Sequence, residues 1–345
     1  MYSCLKGLDA QIRFLFITGV SKFSKVSIFS DLNHLNDISL SRDYACMLGC
    51  TEQEIADSFP DYLNNTAKLL GVSTSETMTM LKEWYDGYCW HPAMERVYNP
   101  FSLLNFFQEK EFKNYWFATG TPTFLINALK NGKKLPEQTG NILVNQAFFD
   151  KFDIENIDLV SLMFQSGYLT ITRTNNKGAY WLDYPNREVE VSFMNQLLEC
   201  YTQSHLSTTS GAVEYIRFAL EKNDWDAIVK QINILYSSIP YQIFKADCEF
   251  YYHSIIHTVL SLIGVDLHSE LQTSAGRIDT VIKTEKFIYM VEFKMGDAQS
   301  ALDQIKTKEY YKPFLNDSRT IVLTGVGFDR EKKEVGGIVT AVFPS

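Results

Sequence analysis

The chain has 345 residues, 46% of them hydrophobic and 14% aromatic, enough apolar material for two or three packed domains. A formal charge of -9 and a pI near 5.3 exclude a surface that is basic all over, so any contact with nucleic acid is expected to be local. No run approaches the roughly 18 apolar residues of a membrane span, and no secretory leader opens the sequence, so a cytoplasmic protein with no membrane partner is expected.

Taken in chain order, the apolar, β-rich run Phe14 to Val20 (FLFITGV) predicts a strand inside a covered parallel sheet. Little chain precedes it to supply neighbouring strands, which suggests that Met1 lies inside a domain. Thr51 with Glu54 and Ser73 with Glu76 have capping-box spacing and predict two helix starts. The aromatic, turn-rich stretch Trp84 to Asn99 leads into expected short helices around Pro100 to Phe107 and Thr123 to Lys130. Asp158 to Ser166 reads as a helix, followed by β pieces Tyr168 to Arg173 and Ala179 to Leu182 about the turn Asn175-Asn176-Lys177-Gly178, a winged-helix-like succession. Helices are expected from about Glu190 to Ser237.

From Asp247 the pattern changes to a helix over Asp247 to Leu262 and strands over Val265 to Gln272, Arg277 to Lys283 and Phe287 to Phe293. A helix over Ala298 to Leu315 and strands over Thr320 to Val326 and Gly337 to Phe343 complete it. The order αβββαβ plus a last strand belongs to a compact mixed domain. The expected fold class is therefore α/β and α+β, with divisions at 1–135, 136–240 and 241–345. Six scattered cysteines (Cys4, Cys46, Cys50, Cys89, Cys200 and Cys248) offer no second close pair beside Cys46 and Cys50 and read as reduced thiols.

Chemistry concentrates in the last division, where eleven Lys or Arg stand against twelve Asp or Glu between Val265 and Ser345, so most of the excess acidity lies upstream. Phosphodiester hydrolysis needs a divalent cation held by carboxylates, a water activated by it, and a positive group facing the charge that develops on phosphorus. Asp279, Glu292 and Lys294 supply that set. Glu292 and Lys294, two apart in a strand, share one face while Phe293 turns to the core. A two-residue loop at Glu285-Lys286 sets Asp279 opposite Glu292, with Cβ atoms about 5 Å apart; a slip of one residue would throw Asp279 to the other face. Mg²⁺ or Mn²⁺ resolves the repulsion of two such carboxylates. The other Glu-x-Lys triplets, Glu111/Lys113 and Glu331/Lys333, do not end an apolar strand and read as surface charge.

Glu249 opens the preceding helix, where it can reach the metal through water or simply answer the helix dipole. Gln304, Lys308 and Tyr311, at i, i+4 and i+7, fall on one face of the following helix, available to a phosphate or a base or forming a solvated face with Tyr311 on the sheet. His253 and His257 lack a third zinc ligand and read as packing or solvent-facing residues.

The run GRIDTVIKTEKFIYMVEFK followed by ALDQIKTKEYY resembles the PD-(D/E)XK nuclease domain at the end of bacterial AAA-ATPase-like proteins. FITGVSKFSKVSIFSDLNHLNDISL, EWYDGYCW, RVYNPFSLLNFF and NYWFATGTPTFL are similar to the ATPase-like region of that family. The resemblance implies a restriction-endonuclease-like C-terminal domain in which Asp279 and Glu292 bind metal, Lys294 is catalytic, and Glu249 and Gln304 support them. It also makes Phe14 to Val20 a late strand of an ATPase sheet. No G-x-x-x-x-G-K-[ST] segment occurs, so no nucleotide-binding residue is assigned and ATP hydrolysis is not expected. A truncated gene, a misplaced start or a split protein would each account for that departure. The expectation is a metal-dependent nuclease acting on DNA, with a separate ATPase half or a second copy as possible partner. The rival is a non-enzymatic remnant or binding module.

Overall fold

The computed structural model describes residues 11–19, 36–92, 95–116, 141–150, 158–175, 177–202, 206–239, 248–263, 266–273 and 276–343. The chain divides into two compact units, Met1–Phe193 and Met194–Ser345. No helix among the described residues is long and apolar enough to cross a membrane.

In the first unit α1 (Glu52–Ser58), α2 (Pro60–Leu70), α3 (Thr74–Tyr85) and α4 (Pro100–Glu109) surround a core of Ile55, Leu63, Leu81, Tyr85, Leu103 and Phe106. Both expected capping boxes form: Thr51 and Ser73 accept from the Glu54 and Glu76 backbone N–H groups, and each glutamate accepts from its cap residue's N–H. Strand β1 (Ile142–Asn145) is followed by α5 (Gln146–Asp150) and α6 (Leu159–Gln165), the latter capped by Asp158. Then β2 (Thr170–Thr174) and β3 (Ala179–Asp183) form the expected hairpin, extended by β1 into an antiparallel sheet of order β1-β3-β2. Glu188, fully buried, accepts from the Ser102 hydroxyl at 2.6 Å and the Trp116 N–H at 2.7 Å, tying three distant stretches together.

The strand expected over Phe14 to Val20 is not found. Residues 14–19 have no regular secondary structure, Phe14 is 80% exposed, and Val20 lies outside the described residues. An apolar, β-prone run becomes a strand only when neighbours pair its N–H and C=O groups, and none among the described residues does so here. The helix expected at Thr123 to Lys130 lies outside the described residues.

Helix α7 (Arg187–Thr202) leads into the second unit, followed by α8 (Leu206–Glu221), α9 (Trp225–Ser237) and α10 (Cys248–Ile263). A five-stranded sheet of order β4-β5-β6-β7-β8 comes next: β4 (Asp266–Thr273), β5 (Gly276–Lys283), β6 (Phe287–Met295), β7 (Thr320–Asp329) and β8 (Glu334–Phe343). Only β6 and β7 run parallel, joined by a crossover that contains α11 (Ala298–Lys308). Side chains alternate across the sheet: Tyr289, Val291, Phe293, Val322, Val326 and Phe328 meet α8, α9 and α10, while Ile288, Met290, Ile321 and Leu323 pack under α11. Each such aliphatic or aromatic side chain, fully buried, stabilises the fold by about 1.5–3 kcal/mol. Helices α8 and α9 contribute directly to this core.

Asn233 on α9 closes part of the sheet edge. Its side-chain amide donates to the Val335 carbonyl at 3.1 Å and accepts from the Val335 N–H at 2.8 Å, beside the irregularity at Gly327/Phe328 in the β7–β8 ladder.

Candidate active site

The β5–β6 hairpin has the register expected from its sequence. Thr284 and Phe287 close the turn, the Thr284 N–H donating to the Phe287 carbonyl at 2.9 Å, and pairing runs from Lys283↔Ile288 to Thr280↔Val291. There the ladder stops. Residues 276–278 continue on β4 and 292–295 on β7, so the sheet splits at the position of Asp279 and Glu292.

Carboxylates replace the missing ladder bonds. Asp279 Oδ2 accepts from the Phe293 N–H at 2.9 Å, and Glu292 Oε2 accepts from the Asp279 N–H at 3.4 Å. Glu292 is 4% exposed, and its Oε1 accepts from the Gln304 amide of α11. Lys294, two residues on, lies on the same face and directs its Nζ to the Ser300 carbonyl in the first turn of α11 at 3.4 Å.

The fold of α11 over this face follows from three local features. Gly296, at φ 90, makes the turn out of β6, and its N–H donates to the Phe328 carbonyl. Asp297 caps the helix by accepting from the Gln299 and Ser300 N–H groups. Gly325 and Gly327, the register partners of Glu292 and Lys294 on β7, leave room for the helix backbone. A Cβ at Gly325 would stand 2.2 Å from the Ala298 carbonyl oxygen, and one at Gly327 would stand 2.4 Å from that of Gly296. Two glycines at alternate positions of an apolar strand signal such close approach, and TGVG within β7 carries that signal.

Helix α11 is shorter than expected, and this moves Tyr311. It ends at Lys308 because Glu309 takes a left-handed conformation (φ 50), and a 3-10 turn over Lys312–Phe314 follows. Tyr311 therefore leaves the face of Gln304 and stacks on Phe343, ring centroids 4.2 Å apart. Lys308 is exposed in the last helical turn. The neighbouring Tyr310 is 3% exposed and hydrogen-bonds to the Gln304 side chain. Glu249 stands near the start of α10, with its side chain outside the described residues, as is that of His253. The other two triplets lie elsewhere: Lys113 pairs with Glu109 and Glu111 on the surface, and Glu331 and Lys333 sit in the turn between β7 and β8.

Asp279 and Glu292 present only oxygen donors, beside an amide, and two adjoining anionic groups suit a hard cation such as Mg²⁺ or Mn²⁺. Among the described residues no group of three or more His, Cys, Asp or Glu is placed to hold an ion, so a complete protein shell is not drawn from these residues alone.

Comparison with known proteins bears on the same segment. Residues 247–336 match the PD-(D/E)XK nuclease superfamily. Over 98% of its length the chain is 36% identical to a protein of Azotobacter chroococcum mcd 1 described as "Uncharacterized protein in vnfD 5'region", and it spans 65% of that protein. No solved structure matches. The matched segment takes in α10, all of β4 to β7 and the acidic pair with its lysine, and the C-terminal part of the chain is thus a domain of the PD-(D/E)XK nuclease superfamily.

Proposed function

We propose that this domain is a nuclease that hydrolyses phosphodiester bonds of DNA with Mg²⁺ or Mn²⁺. The observation that carries the reading is the split between β5 and β6, where Asp279 and Glu292 converge with Lys294 on the same face of β6 as Glu292. Asp279 and Glu292 would hold the ion, with Glu249 as a further carboxylate. A bound divalent ion supplies an activated water and neutralises phosphate charge. Lys294 holds a positive charge where the attacked phosphorus gathers negative charge, or orients the attacking water. Gln304 fixes Glu292, and Lys308, exposed at the end of α11, is available to a phosphate of the substrate.

The upstream region, on its sequence motifs, is read as ATPase-like, with a winged-helix-like element at α6, β2 and β3. This chain offers no phosphate-binding loop, so the reading assigns it no ATP hydrolysis. A separate ATPase chain or a second copy is the partner such a region would take.

Cleavage of plasmid and linear DNA with Mg²⁺ or Mn²⁺ tests the proposal, beside Lys294→Ala and Asp279→Asn. The wild type should cut and both variants should not; equal cutting by all three rejects it. A second reading, a non-enzymatic binding module, draws on the acidic balance of the chain and on the Lys294 ammonium being engaged by the Ser300 carbonyl. Under it, calorimetry would find Mn²⁺ bound no better by wild type than by Asp279→Asn.

A further inference from the structure

The residue that follows α11 and its left-handed cap bridges the apolar layer and the acidic pair. The Tyr310 ring belongs to the cluster of Leu302, Ile305, Ile321 and Leu323 beneath the helix. Its hydroxyl oxygen accepts from the Gln304 side chain, which holds its ionisation down, while burial first, then the nearby Glu292 and more weakly Asp279, push it upward. Gln304 in turn donates to Glu292 Oε1. A glutamine amide on a long, soft side chain turns readily when held at one point, and its NH2 end carries two N–H bonds that can serve two acceptors. Two anchors, a carboxylate and a buried hydroxyl, fix its plane. With Oε1 occupied, the other oxygen of Glu292 faces the Asp279 backbone.

We propose that Tyr310 is a positioning residue of the site, which acts through Gln304 to hold Glu292 so that Oε2 faces Asp279 across the strand split. This rests on the reading of Asp279 and Glu292 as the ion-holding pair. Tyr310 touches neither substrate nor ion; its hydroxyl sets the orientation of the group that does.

The test uses Tyr310→Phe, which keeps the ring in its apolar cluster and removes only the hydroxyl. In the metal-free protein, the Gln304 side-chain amide resonance, assigned by its loss in Gln304→Ala, should move in Tyr310→Phe while thermal unfolding stays close to wild type. Mn²⁺ affinity by calorimetry should fall about 10-fold in Tyr310→Phe and in Gln304→Ala. The double variant should lose no more than Gln304→Ala alone, because the hydroxyl acts only through the amide. An unmoved Gln304 resonance, or losses that add in the double variant, would overturn the proposal. A wild type that binds no Mn²⁺, with the resonance still displaced by Tyr310→Phe, would remove the nuclease reading and leave the positioning of Glu292 in place.

Discussion

Replacing Gly325 with alanine would set a methyl group 2.2 Å from the Ala298 carbonyl oxygen, 2.5 Å from the Leu302 nitrogen and 3.1 Å from the Leu302 Cβ. Two of these three atoms are backbone of α11, so no rotamer change can relieve the contact. Restoring an ordinary separation of 3.4 Å requires the helix start to recede by about 1 Å, and overpacking of this kind costs about 1–3 kcal/mol. The same movement would draw Gln304 from Glu292 and the Ser300 carbonyl from Lys294, so the site should loosen along with the fold. Gly211, inside α8, is the control, because a Cβ there meets nothing within 4 Å. Alanine at that position removes backbone freedom from the unfolded chain and should stabilise by up to about 1 kcal/mol. Urea unfolding followed by circular dichroism would read both variants, and Mn²⁺ calorimetry the site. The two substitutions, identical in chemistry, should move the midpoint in opposite directions. Gly325→Ala as stable as wild type, with unaltered Mn²⁺ affinity, would refute the close seating of α11 on β7.

Burial pushes the Glu188 carboxyl upward against its Ser102 and Trp116 hydrogen bonds, and burial acts on Asp86 in the same direction. A folded-state pKa above the unfolded one means the native chain binds the extra proton; this stability is whole below an unfolded value of about 4 and is lost as pH rises through the folded value. Urea midpoints read by tryptophan fluorescence should therefore rise as pH is lowered through the folded value toward the unfolded value of about 4, and Glu188→Gln should flatten the slope; an unchanged slope in that variant would contradict the assignment. Tyr311→Phe should keep both the Phe343 stack and Mn²⁺ affinity, whereas Tyr311→Ala should lower stability by about 1 kcal/mol, checked by thermal unfolding beside calorimetry. Thr51→Ala and Ser73→Ala should each cost about 1 kcal/mol through the lost caps of α1 and α3, measurable by urea unfolding.

What could be read from the sequence was what neighbouring residues decide. Thr51 with Glu54 and Ser73 with Glu76 satisfy their helix ends within four residues, so the pattern suffices. The hairpin register followed because the loop at Glu285-Lys286 is short and Asp279 and Glu292 flank it at matching distances. Tyr311 was placed by helical periodicity, and periodicity fails where a helix stops. Glu309 does not advertise the left-handed conformation as glycine or asparagine would, so the departure of Tyr311 from the Gln304 face has no local sign. Phe14 to Val20 had β propensity, but propensity does not supply a partner strand. Gly325 and Gly327 did carry a sign, in the alternation TGVG within an apolar strand, and their meaning depended on knowing that α11 crosses that point.

The Asn233 amide on Val335 bears on how copies of this protein can associate. Strand β8 is one of the two outer strands of its sheet, and the outward N–H and C=O of such a strand invite a matching strand from another molecule. At Val335 both groups are already taken by a side chain from α9. A foreign strand would have to displace that helix residue before zipping along this stretch, so the clasp guards against sheet-to-sheet aggregation at the bulged end of β8.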